Sequence, residues 1–116
     1  MTAPWRERLQ YLANLPGGWY DGDGVKISKL AVTTTELIMT ALDKLDYPPG
    51  NLFPIPDGGI SGEWTDNKNV RTFEVMNDGN IELFDLGDYE AGELDDIETR
   101  DVRVAVDYIA RTQEAS

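Results

Sequence analysis

The stretch from Ile60 to Leu86 constrains the fold most. Ile60, Gly62 and Trp64 alternate with Ser61 and Glu63, the period of a strand with one buried face. Thr65 to Asn69 reads as a hairpin turn and Val70 to Met76 as a second strand, with Phe73 and Val75 inward. Asn77-Asp78-Gly79-Asn80 is a tight-turn signal, and Ile81 to Leu86 makes a third strand. Turns this short join antiparallel neighbours, so these residues predict a three-stranded antiparallel meander.

Helices flank it. Pro4 suits a first helical turn, with Thr2 or Ala3 as cap, and Trp5, Leu9 and Leu12 then share one face. Leu15-Pro16-Gly17-Gly18 ends that helix. A second helix starts either at Ser28 or at Thr33, where Glu36 would complete a capping box. Its expected apolar stripe is Leu30, Leu37, Ile38, Ala41, Leu42 and Leu45, and Tyr47-Pro48-Pro49-Gly50 stops it. Leu52 to Pro56 reads as an extended approach to the sheet. A last helix is expected from about Arg100 to Arg111, with Val102, Ala105, Tyr108 and Ile109 inward. The fold class is α+β: two N-terminal helices, the meander and a C-terminal helix in one domain over residues 1–116.

The segment GWYDGDG, Gly18 to Gly24, poses a chemical question. Counted from Asp21 as a calcium loop, Val25, Lys26 and Val32 stand where an oxygen ligand, a glycine and a glutamate are needed. It is read as a turn, with Gly22 and Gly24 free to take positive φ and the two aspartates bonding nearby backbone amides. Trp19 is expected to pack under it, with Tyr20 at its edge.

Composition narrows the chemistry. The chain has no cysteine and no histidine, so disulfides, thiolates and the usual neutral-pH base are excluded. No metal or cofactor is expected. No run of residues is apolar enough for a membrane span, and MTAPWRERLQYL lacks the pattern of a signal peptide, so a cytoplasmic site is expected. With 22 acidic and 10 basic residues the net charge is −12. Such a chain is repelled by nucleic acid and anionic membranes and attracted to basic surfaces, including those that hold nucleic acid.

The charge is segregated. Residues 82–101 carry nine acids and one base, two thirds of the net charge. Leu83, Phe84, Leu86, Tyr89, Leu94 and Ile97 are interleaved with them, which predicts a segment at about 85–99 pinned to the core with its carboxylates outward. Asp85, Asp88, Tyr89, Glu90, Glu93, Asp95, Asp96 and Glu98 are the candidate partner-binding residues, with Tyr89 as an anchor among the acids.

Other constellations carry less. Asp57 and Glu63 form a carboxylate pair of the kind hydrolases use, but no basic group near in sequence tunes them. GGISGEW lacks the lysine of a phosphate loop and opens a strand. Trp5, Trp19 and Trp64 are expected in the core, and Tyr11, Tyr47 and Tyr89 nearer the surface.

Trp19, Asp21 and Gly22, then Pro54, Pro56, Asp57, Gly58 and Gly59, then Glu63, Trp64, Asp78 and Gly79 form a pattern. It resembles that of a group of small bacterial and prophage proteins, over about residues 15–86. These positions are turns and core residues, so the likeness speaks to fold. It implies a mobile-element setting, where small acidic proteins include inhibitors of host defence, anti-CRISPR proteins among them. The expected function is therefore a non-enzymatic inhibitor in the bacterial host cytoplasm. It would bind a protein partner, such as a CRISPR effector subunit with a basic DNA-handling surface, by mimicking nucleic acid. The alternatives are an accessory or structural mobile-element protein acting without charge mimicry, and a hydrolase using Asp57 and Glu63.

Overall fold

The computed structural model describes residues 4–47, 50–66, 69–86 and 95–110. It is an α+β fold with α1 (Pro4–Ala13), α2 (Lys29–Lys44), β1 (Asn51–Pro54), β2 (Ile60–Asp66), β3 (Asn69–Val75), β4 (Ile81–Leu86), β5 (Ile97–Thr99) and α3 (Val102–Ala110). The strands form one antiparallel sheet in the order β1-β2-β3-β4-β5. The three expected strands are its centre. The sheet has two more, one at each edge. Leu52 lies in an added strand and not a bare approach, because its neighbours Asn51 and Phe53 pair with Glu63 and Ser61. At the other edge, Glu82 and Leu83 recruit Glu98 and Ile97.

The core lies between one face of this sheet and the helices. Leu52, Ile60, Trp64, Phe73, Val75, Ile81 and Leu83 meet Trp5, Leu9, Leu12, Ile38, Met39, Leu42, Ala105 and Ile109 there. Gly62 sits across from Phe73, and a side chain at Gly62 would collide with the Phe73 ring. The opposite sheet face carries no helix among the described residues.

GWYDGDG is a miniature hairpin. The Tyr20 N–H donates to Asp23 O (2.7 Å) and the Asp23 N–H to Tyr20 O (2.8 Å), with Asp21 and Gly22 at φ 51° and 92° between them. Two successive positive φ values define a type I′ turn, for which Asp-Gly is a favoured pair. Gly24, at φ 91°, lies against the Trp19 ring, whose Nε1 donates to Val25 O (2.8 Å). The backbone, and not the expected aspartate side chains, supplies the hydrogen bonds that close this turn. Asp57, Asp78 and Asp101 are the aspartates that do accept from a backbone amide two residues on, those of Gly59, Asn80 and Arg103.

The cap of α2 is Ser28. Its Oγ accepts from the Ala31 N–H (3.0 Å) and donates to Asn77 O (2.8 Å), tying the helix start to the β3–β4 turn. This sets the phase of the helix and corrects the expected stripe. Ala31, Thr34, Thr35, Ile38, Met39 and Leu42 face the core, while Leu30, Leu37 and Leu45 are each at least half exposed. Leu30 instead lies over Gly79 of the hairpin turn, and Ala41 and Leu45 border a groove shared with Val102 and Val106 of α3. Trp5 is buried, with Nε1 donating to Asp43 Oδ2 (2.9 Å). Tyr47, expected nearer the surface, is half-buried with its ring edge-on to Trp64.

Candidate acidic interface

Strand alternation decides which carboxylates can meet a partner. On β4, Ile81, Leu83 and Asp85 share the inward face and Glu82 and Phe84 the outward one. Asp85, expected outward as a partner-binding acid, is therefore buried. It faces Arg71, its cross-strand partner on β3, at 3.4 Å. Arg71 Nη1 also donates to Tyr108 O (3.1 Å) on α3. This pair belongs to the core, and Asp85 leaves the candidate surface.

Asp95, Asp96 and Glu98 are exposed, as expected. Asp88, Tyr89, Glu90 and Glu93 lie outside the described residues. Beyond the pairing with β4, side chains at both ends of β5 position the described part of the segment. The Tyr108 hydroxyl donates to Asp95 O at 2.9 Å, anchoring the chain just before β5. Arg100, just after β5, donates to Asp78 O (2.9 Å) and pairs with Asp78 Oδ2 (3.3 Å), fixing the strand end to the β3–β4 turn. The Tyr108 phenol is pushed up to about 12, first by burial and then by the charges of Asp85, Asp96 and Asp95, partly offset by Arg71. Carboxylates of the core and of the acidic segment thus act on the same hydroxyl.

The sequence reading missed how the acids continue across the sheet. Glu74 of β3 is directly opposite Glu82 of β4, and Glu82 directly opposite Glu98 of β5. Three glutamates therefore stand abreast on the helix-free face, one per strand. Like charges in such positions repel. The Glu74 carboxyl accordingly sits above its ordinary value, raised first by partial burial and then by Glu82 and Asp57. The outward positions of the five strands carry no arginine or lysine among the described residues. Alternation and pairing order were the signals that could have found this row: Glu74 and Glu82 are each four residues from Asp78, on which the β3–β4 register is centred.

Asp57 and Glu63 are held in different settings. Asp57 Oδ1 is spent on the Gly59 N–H (2.9 Å), while Glu63 points outward on β2 between Asn51 and Thr72. Among the described residues no group of three ligating side chains could hold a metal ion, and no helix is long and apolar enough to cross a membrane. No protein-family model, curated protein or solved structure matches the chain.

Proposed function

We propose that the chain is a binding protein and not an enzyme, and that it docks onto a basic protein surface built to hold nucleic acid. The observation that carries this reading is the row Glu74, Glu82 and Glu98 on a face without cations, continued by exposed Asp95 and Asp96. Repulsion within such a row costs stability, and a cationic partner would relieve it. A sheet also holds carboxylates at fixed spacing, so little ordering entropy is lost on binding. Together with the net charge of −12, the resemblance to prophage proteins favours inhibition of a bacterial defence complex, such as a CRISPR effector at its DNA-handling surface. The acids would take the place of phosphates.

A second reading is an accessory mobile-element protein acting by apolar contact. It has in its favour Leu37 on α2 and Leu45 at its C-cap, both exposed.

One experiment separates the two. Tagged chain is used to capture partners from a bacterial lysate carrying defence systems, at low and high salt, beside the variant E82Q/D95N/D96N/E98Q. A nucleic-acid-handling complex held at low salt, shed at high salt and lost with the variant is the expected result. Equal capture by the variant would overturn the charge-based reading. Capture of a partner insensitive to salt would favour the apolar one.

A further inference from the structure

In this acidic chain the arginines are matched with carboxylates, with one exception. Arg6 pairs with Glu36, Arg71 with Asp85, Arg100 with Asp78 and Arg103 with Asp101. Arg8 alone among the described arginines has no carboxylate partner. Its Nε donates to Leu52 O at 3.0 Å, and its guanidinium carbon lies 5.3 Å from the Tyr11 ring centroid. Neither contact uses the terminal nitrogens. Arg8 borders a cavity of about 390 Å³ at the free edge of β1, walled by Pro4, Trp5, Asn51, Leu52 and Phe53.

The backbone of that edge adds a donor. The Ile55 N–H donates to Gly59 O (3.0 Å), so by two-residue alternation Phe53 and Asn51 bond β2 while Leu52 turns its peptide groups outward. The bond from Arg8 to Leu52 O agrees with that direction, and in a strand the N–H of the same residue points the same way. Pro54, at the next outward position, has no N–H to offer. The edge therefore presents one peptide donor beside one guanidinium. That is too little for a full added strand and suits a single two-oxygen acceptor.

A carboxylate has that shape, and guanidinium recognises it in the plane through paired N–H groups. The net charge of −12 repels polyanions, so phosphate-rich ligands are disfavoured. The walls of Pro4, Trp5 and Phe53 favour an apolar body behind the charge. We propose that this cavity binds a monocarboxylate with an apolar body, its oxygens on Arg8 and the Leu52 N–H. The ligand can be a free organic acid or the terminal carboxylate of a peptide ending in an apolar residue.

The test is an amide and arginine-side-chain NMR titration of the full chain. The probes are 3-phenylpropionate, its neutral counterpart 3-phenylpropan-1-ol, and a tripeptide ending in phenylalanine, with a free and with an amidated C-terminus. Saturable shifts at Leu52, Asn51 and Arg8 Nε are expected with a carboxylate and not with its neutral counterpart. The stronger of the two acids identifies the source. Arg8→Gln should weaken binding at least tenfold. Asn51→Asp, which adds a like charge at an exposed rim position and keeps Arg8, should weaken it severalfold. Absence of saturation by both carboxylates up to about 10 mM, weaker than ordinary specific binding, would overturn the proposal. So would equal binding of the neutral probes, or unchanged affinity in Asn51→Asp.

Discussion

Arg71 and Asp85 face each other across β3 and β4 at 3.4 Å, with side chains 3% and 0% exposed. An ion pair this deep recovers the cost of desolvating two charges only while both members are present. Asp85→Asn should therefore lower stability by about 3–5 kcal/mol, since the guanidinium keeps its charge and loses its counterion. Replacing both residues by apolar ones, Arg71→Met with Asp85→Leu, should return most of that loss. Urea midpoints of the three proteins check this. A single variant as stable as the parent would show the pair to be dispensable.

Tyr108 joins that pair to the acidic segment, through its carbonyl to Arg71 and its hydroxyl to Asp95 O. Its phenol is pushed up to about 12 in the folded chain, against 10.0 ordinarily. Between these values the unfolded chain has lost the proton and the folded chain keeps it. The unfolded state then binds fewer protons, so stability falls as pH rises from about 10 towards about 12. Tyr108→Phe should flatten that alkaline decline. At neutral pH it should cost about 1 kcal/mol for the lost hydrogen bond. It should also speed amide exchange at Asp96 and Ile97, whose anchor it removes. Stability measured from pH 8 to 12 in both proteins, with hydrogen exchange at neutral pH, tests each part.

The inward placement of Asp85 was legible. Ile81, Leu83 and Asp85 share one parity, as do Arg71, Phe73 and Val75, so two opposite charges fall on the buried side of neighbouring strands. Reading the acids by their density hid this. The hairpin turns were legible because Asp-Gly specifies a backbone conformation locally. The edge strands β1 and β5 were not. Four residues ending in proline, and three residues within an acidic run, acquire strand character only from the partner they meet. The rotation of α2 was hidden for a similar reason. Leucines and threonines compete for its inward face, and the Ser28 contact with Asn77, 49 residues away, helps decide it.

Gly62 tests the packing that supports the sheet. It is buried opposite Phe73, whose ring occupies the space a β-carbon would need and lies 5.6 Å from the Trp64 ring. Phe73 is fully buried and cannot move outward. Gly62→Ala should cost about 1–3 kcal/mol by overpacking. Adding Phe73→Leu should cost less in the Gly62→Ala background than in the parent, because the smaller side chain relieves the collision. A double-mutant cycle of melting temperatures measures the coupling, and additive losses would refute the steric account.

Glu74 sets stability against binding. Its carboxyl lies above the ordinary value of 4.5 through partial burial and the charges of Glu82 and Asp57. A raised value means that the folded chain holds this proton more tightly than the unfolded chain. The benefit is complete below about 4.5 and is lost as pH rises through the folded value. At pH 7 the ionised carboxylate is therefore a net cost. Glu74→Gln should stabilise the protein there by about 0.2–1 kcal/mol, the scale of cross-strand pairs. At pH 3, with the Glu74 carboxyl protonated, the gain should shrink towards zero. The same variant should bind the basic partner more weakly, with a shallower dependence on salt, because one carboxylate has left the row. Urea unfolding at the two pH values gives the first half of the trade and salt-dependent partner capture the second. If Glu74→Gln stabilised the fold and left capture unchanged, the glutamate row would be a structural cost without a binding role, and the contact would have to lie in Asp95, Asp96 and the acids beyond them.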